Sequence, residues 1–173
     1  MTTGSVRMTT GRVRDDRGMN AAVVAGALAV AAVNLLAGAV GGWQWYRGDP
    51  GERRVVNAFW LLLRIAQGAS VLLALGVGAL AGTGSYANEN LFYLYALLPL
   101  AVAFVAEQLR VAAAQTILDQ QGLADAAAVG ALAEDEQRAV VARIVRREIG
   151  VMTLSALVVV FLALRAAGTA HGF

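Results

Sequence analysis

Four uninterrupted apolar segments, residues 21–42, 59–81, 91–113 and 149–167, constrain this chain more than any other feature. Each comes close to or exceeds the roughly 20 residues a helix needs to cross a hydrocarbon core of ~30 Å. Together they make up half of the 173 residues and hold only four of the 26 charged side chains. The other half is as rich in charge as an ordinary water-facing surface, so the mean of 58% apolar residues hides two materials. A hydrocarbon core offers no water to bare amides, which leaves helices as the expected form of such segments. The expected fold is all-α: a polytopic membrane protein built as a four-transmembrane-helix bundle, with a cytoplasmic helical extension between helices three and four. Residues 1–20 read as a disordered N-terminal tail. Residues 21–173 read as one domain, with a cytoplasmic helical hairpin at about 114–148.

Composition excludes several chemistries. There is no cysteine, and the single histidine is His171, two residues from the end. Thiolate metal sites, iron–sulfur clusters, imidazole-based zinc sites and Ser-His-Asp hydrolysis therefore lack their residues. A haem held between helices needs imidazoles inside the bundle, which a terminal histidine does not supply. No cofactor, metal site or catalytic set is expected, and the chain reads as a non-enzyme. All 14 basic residues are arginine, with abundant Ala, Gly and Val, as in chains encoded by GC-rich bacterial genomes. The net charge of +2 is too small for a nucleic-acid binder, and the arginines flank the apolar segments. They fit the positive-inside rule instead.

That rule gives an expected orientation in a bacterial cytoplasmic membrane. The connection between segments one and two carries Arg47, Arg53 and Arg54, with turn chemistry at Asp49-Pro50-Gly51. The connection between three and four carries Arg138, Arg143, Arg146 and Arg147, whereas the 82–90 loop has no arginine. The 1–2 and 3–4 connections are thus expected in the cytoplasm and both termini outside. Arg7, Arg12, Arg14 and Arg17 argue against this, and a start at Met19 rather than Met1 or Met8 would remove them. A signal peptide cleaved near Ala37 and Ala39 is the weaker reading, since its apolar run exceeds the usual ~7–15 residues. Trp43, Trp45, Tyr46, Phe59 and Trp60 mark one membrane boundary. Tyr86, Phe92, Tyr93 and Tyr95 mark the other.

Within the first segment, Gly38 and Gly42 have the four-residue spacing that lets helix backbones approach, and Asn34 is a candidate interhelical donor. Packing inside the chain is the expected use, with self-association the alternative. Pro99 lacks the amide that would bond the Tyr95 carbonyl and is expected to kink the third helix.

The charges inside the segments are the candidate site. Arg64 lies 17 residues inward from Ala81, and Glu107 lies 16 inward from Leu91. Antiparallel helices then bring both to one depth, about 25 Å from the outer face at ~1.5 Å per residue. An unpaired charge at the membrane centre costs at least ~2.5–3.5 kcal/mol, so the two are expected to meet. Arg110 and Gln67 extend the polar region by helical spacing. In the plainer reading Glu107 simply neutralises a snorkelling Arg64. In the sharper one the region is a gate or ligand site.

Beyond the third segment, helix formers continue to Gln121, and Gly122 is the first C-terminal cap signal. From Glu134 to Glu148 acids come first and bases last, as a helix dipole favours, with Glu134 and Arg138 as an i,i+4 pair. Val140, Val141, Ile144 and Val145 form an apolar stripe expected to pack on the extension of segment three. Arg143, Arg146 and Arg147 are expected to meet anionic lipid or a protein partner. The expected partners are the bilayer and a membrane protein, or a second copy of the chain. The leading functional expectation is an accessory or assembly subunit of a larger membrane complex. The alternative is a homo-oligomeric channel or transporter using the Arg64/Glu107 region.

Overall fold

The computed structural model describes residues 10–48, 53–84 and 86–170, with side chains from Gly18 onward. All its regular elements are helices: α1 Thr10–Arg47, α2 Arg53–Gly82, α3 Asn90–Gln120, the short α4 Ala126–Gly130, and α5 Glu134–Thr169. No strand occurs among the described residues. Four of the helices are long and apolar enough to cross a membrane. The expected turn at Asp49-Pro50-Gly51 lies outside the described residues.

The long helices form an antiparallel bundle in which α5 is the central packing element. α1 and α3 lie against α5, while α2 closes on α1 and touches α3 more sparsely. The interior is built in three layers. At the end carrying the 82–90 loop, Val23, Ala27, Val77, Phe92, Ala96 and Ala166 are buried. The middle layer is Val30, Ala31, Val159 and Ala163. At the end carrying the arginine-rich connections, Phe59, Leu63, Ala106, Ile149, Met152 and Ala156 close the core.

The size distribution is inverted relative to a water-soluble bundle. Alanine dominates the inside, while Leu61, Leu72, Leu75, Phe104, Leu154 and Phe161 point outward. Small inward residues let backbones approach, which is how helices associate when the surroundings are as apolar as leucine. Large exposed apolar side chains are unfavourable against water and neutral against hydrocarbon.

Two boundaries differ from the expectation. α5 runs without interruption, so the 134–148 helix and the fourth apolar segment are one 36-residue element rather than a hairpin arm followed by a separate span. Nothing between Glu148 and Val151 stops it: Gly150 costs ~1 kcal/mol of helix propensity but does not break a helix. α1 begins at Thr10, so residues 10–20 extend the first helix instead of forming a disordered tail. Adding turns to an existing helix avoids the cost of a new nucleus.

The α3–α5 connection is capped at each step. Gly122, at φ +68°, closes α3 through bonds from its own N–H to the Asp119 carbonyl and from the Leu123 N–H to the Leu118 carbonyl. That pattern is a Schellman cap, which requires the left-handed conformation glycine adopts freely. Asp125 caps α4 by accepting from the Ala128 N–H at 2.9 Å. The Gln137 amide donates to the Gly130 and Leu132 carbonyls and anchors the loop to α5. Glu134 and Arg138 pair along the first turn. Of the apolar stripe, Val140 is buried and Ile144 and Val145 are half-buried, but Val141 is exposed, about 100° away from Val140 around the helix.

Candidate functional site

The α2–α3 seam at the arginine-rich end carries the polar network. On α2, Trp60, Arg64 and Gln67 follow i, i+4, i+7 spacing; on α3, Glu107 and Arg110 are three apart, so each set shares one face. Arg64 Nη1 donates to Gln67 Oε1 at 3.0 Å and to Glu107 Oε1 at 3.4 Å. Gln67 Nε2 donates to the same carboxylate oxygen at 3.4 Å. Arg110 Nε donates to the other, Oε2, at 2.9 Å. The Arg110 guanidinium lies over the Trp60 ring, 5.3 Å from its centroid, and Phe59 meets Trp60 edge-on at 5.3 Å. α2 therefore clasps both α3 charges, Glu107 through Arg64 and Gln67, Arg110 through the indole face.

The arrangement is a shared-carboxylate network rather than a single pair. Glu107 accepts from three side chains on its two oxygens and carries one negative charge against two positive ones. Glu107 and Arg110 are mostly enclosed, with side chains 26% and 28% exposed, whereas Arg64 is 59% exposed. Arg64 thus sits on the outer face of the bundle, next to the exposed Leu61 and Ile65. Beneath it the interior is closed by Phe59, Leu63 and Ala106.

Residue count along one helix does not reveal every neighbour. Glu148 on α5 lies within coulombic range of both Arg110 and Glu107, so a third helix contributes charge to the region. Its signal was present: Glu148 is 19 residues from Ala167, the outer end of its segment, as Arg110 is from Leu91. Trp60 shares helical spacing with Arg64 and Gln67 and also fits a membrane boundary; the structure puts it under the Arg110 guanidinium. Gln44 is also unforeseen: it is buried with neither Nε2 nor Oε1 hydrogen-bonded, and Thr153 Oγ1 is in the same condition. Unmet buried polar groups cost ~1–3 kcal/mol each.

The packing residues need redistribution. Asn34 is buried, but its side-chain amide donates to the Val30 carbonyl one turn back in α1, at 2.9 Å, rather than across to another helix. That bond satisfies one of the two amide N–H groups within α1 itself. The tightest glycine is Gly41, not Gly42. A Cβ at Gly41 would collide with Thr153 Oγ1 and Phe59 Cε2, while one at Gly42 would rest 3.7 Å from the Thr153 methyl. Gly38 lies against Leu157, and Gly150 leaves room for the Trp45 indole. Pro99 is fully buried, and α3 is continuous through it. Arg143, Arg146 and Arg147 are exposed. Arg146 stacks on Trp45 at 5.9 Å, as Arg47 does on Trp43 at 5.3 Å. At the opposite end Arg165 lies over Tyr95 at 5.4 Å. Among the described residues no three of His, Cys, Asp and Glu gather as a metal site would require.

Comparison with known proteins gives no matching family model, and no match among curated proteins or solved structures.

Proposed function

We propose that the chain inserts into a bacterial cytoplasmic membrane as a four-span bundle and serves as a non-enzymatic accessory or assembly subunit of a larger membrane complex. The 1–2 and 3–4 connections face the cytoplasm in this reading, with both ends of the chain outside. Four helices of sufficient length and apolarity support insertion, as do the outward-facing large apolar side chains. The arginine count of the connecting loops supports the sidedness.

The observation that carries the subunit role is the exposure of Arg64 on the outer face of an apolar helix. At about 25 Å from the opposite boundary, Arg64 lies some 5 Å inside a hydrocarbon core of ~30 Å. Arg64 donates to Gln67 and Glu107 through Nη1 alone, and Glu148 stands near Arg110 rather than Arg64, so N–H donors of Arg64 stay open on this exposed face. A partner helix laid along the α2–α3 seam, bearing an acidic or amide side chain at this depth, would complete the network and cover Leu61 and Ile65. A conduit through one copy is disfavoured because the core below the charges is packed with Phe59, Leu63 and Met152.

The test is purification of the tagged chain from its native membranes in mild detergent, with a photo-crosslinker at the exposed Gly68. A distinct membrane protein is expected to crosslink there and co-purify at fixed stoichiometry. Arg64→Glu is expected to reduce its recovery at least about tenfold, the equivalent of ~1.4 kcal/mol, in line with a lost interfacial charge contact. Recovery of the monomer alone would refute the reading. Crosslinking only to a second copy would instead favour the homo-oligomeric channel or transporter.

Sidedness has its own measurement. The chain has no cysteine, so Asn88→Cys and Ala133→Cys, both at exposed positions, introduce single thiols. In intact spheroplasts an impermeant maleimide is expected to label position 88 and not position 133. The opposite pattern would invert the topology.

A further inference from the structure

Between α1 and α5, at the arginine-rich end, a lateral groove of about 460 Å³ is lined by Gly42, Trp45, Arg147, Gly150, Val151, Thr153, Leu154 and Leu157. It exists because glycine stands on both walls: a Cβ at Gly150 would press on the Trp45 indole at 3.0 Å, and Gly42 faces the Thr153 methyl. The groove opens to the outside of the bundle, where Trp45, Leu154 and Leu157 are each substantially exposed.

Its two ends differ in chemistry. Arg143, Arg147, Val151, Leu154 and Leu157 recur at helical spacing along α5, so one stripe begins in guanidinium groups and continues in hydrocarbon. Beside Arg147, the Arg146 guanidinium stacks on Trp45 and reaches Gly48 at the end of α1. Among the described residues Arg47, Arg146 and Arg147 form no ion pair. The acid next to Arg147 in sequence, Glu148, lies within coulombic range of Arg110 and Glu107. From Arg147 to Leu157 the groove runs ten residues, about 15 Å at ~1.5 Å per residue. That is half of a ~30 Å hydrocarbon core, the depth of one leaflet.

We propose that this groove is a binding site for one anionic phospholipid. An acyl chain lies along Gly42, Val151, Leu154 and Leu157, and the phosphate is held by Arg147 and Arg146, with Arg143 one turn farther out. A phosphate offers guanidinium groups bidentate, charge-assisted bonds that a neutral surface does not. The proposal rests on insertion of the helices in a bilayer and is independent of the partner subunit.

The experiment is native mass spectrometry of the full chain, released from nanodiscs containing equal amounts of phosphatidylglycerol and phosphatidylcholine with identical acyl chains. One phosphatidylglycerol is expected to be retained with about thirtyfold preference, as two basic groups at about 1 kcal/mol each acting on an anionic headgroup would give. Arg146→Gln with Arg147→Gln is expected to remove that preference, whereas the charge-matched control Arg53→Gln with Arg54→Gln keeps it. Leu157→Trp, which fills the apolar part, is expected to lower retention of both lipids. Equal retention of the two lipids by the unaltered chain would overturn the proposal. So would an equal loss in the control variant, which would mean diffuse surface charge, or displacement of the lipid by millimolar inorganic phosphate, which would mean a free-anion site. A chain that fails to incorporate into nanodiscs would instead refute insertion itself.

Discussion

Gly41→Val is expected to prevent the folded chain from accumulating, and Gly41→Ala to cost about 1–3 kcal/mol, the usual range for overpacking a filled interior. The α1–α5 contact is the most extensive in the bundle, and Gly41 is where a side chain has least room. A single methyl group would collide with Phe59 Cε2 and Thr153 Oγ1. Neither neighbour can give way cheaply. Phe59 is completely buried and braced edge-on by Trp60, the ring that carries Arg110. Thr153 is buried between α1 and α5. Moving α1 outward would instead open the seam along Gly38 and Gly42. The adjacent Gly42→Ala is the control, because its methyl group would make an ordinary contact at 3.7 Å and relieve a helix-propensity cost of ~1 kcal/mol. Thermal unfolding in detergent, followed by circular dichroism, separates the two. Equal melting temperatures for Gly41→Ala and Gly42→Ala would contradict the packing described.

Glu107→Leu is expected to destabilise the bundle by about 2–4 kcal/mol, and Arg64→Leu by less than about 1 kcal/mol. Removing the carboxylate leaves Arg64, Gln67 and Arg110 without their common acceptor, two of them cationic and Arg110 mostly enclosed. Removing Arg64 leaves Glu107 still paired with Arg110 at 2.9 Å and bonded by Gln67. Exposure of Arg64 reduces the loss further, since that guanidinium can turn toward the polar boundary. The double reversal Arg64→Glu with Glu107→Arg is not expected to restore stability, because it sets a new arginine against Arg110. Melting temperatures of the three variants and the unaltered chain in one detergent check the ordering. A full rescue by the double reversal would mean that Arg64 and Glu107 act as an isolated pair. The same asymmetry separates folding from association: Arg64 variants should fold yet lose a partner, while Glu107 variants should lose both.

The depth of Arg64 and Glu107 could be read from the chain because antiparallel helices convert residue number into distance along one axis. Their common depth needed no knowledge of packing. The count applied to Glu148 would have placed it beside Arg110, but Glu148 stands one residue before an apolar segment and resembles ordinary boundary charge. Gly41 and Gly42 show the limit of spacing arguments more sharply. Adjacent glycines differ by about 100° around the helix, and the four-residue interval from Gly38 picks out Gly42, which faces Thr153, but not Gly41, where the approach is closest. Asn34 fails for a different reason, since a buried amide on a helix has a backbone carbonyl of its own within reach. Trp60 was ambiguous because an indole at a helix end serves equally as a boundary anchor or as a platform for a cation.

By itself the sequence determined the number of long helices, their alternating direction and the axial level of each charge. Hydropathy, chain length and rise per residue all act along the helix axis, and these quantities belong to one segment at a time. Tertiary structure alone decided rotation about those axes. That placed α5 at the centre, turned Arg64 outward, gave Glu107 three donors and left Gln44 buried without one. Rotation depends on which side chains of several helices fill the same volume at once, and in an alanine-rich interior the binary pattern of apolar and polar residues scarcely distinguishes one face from another.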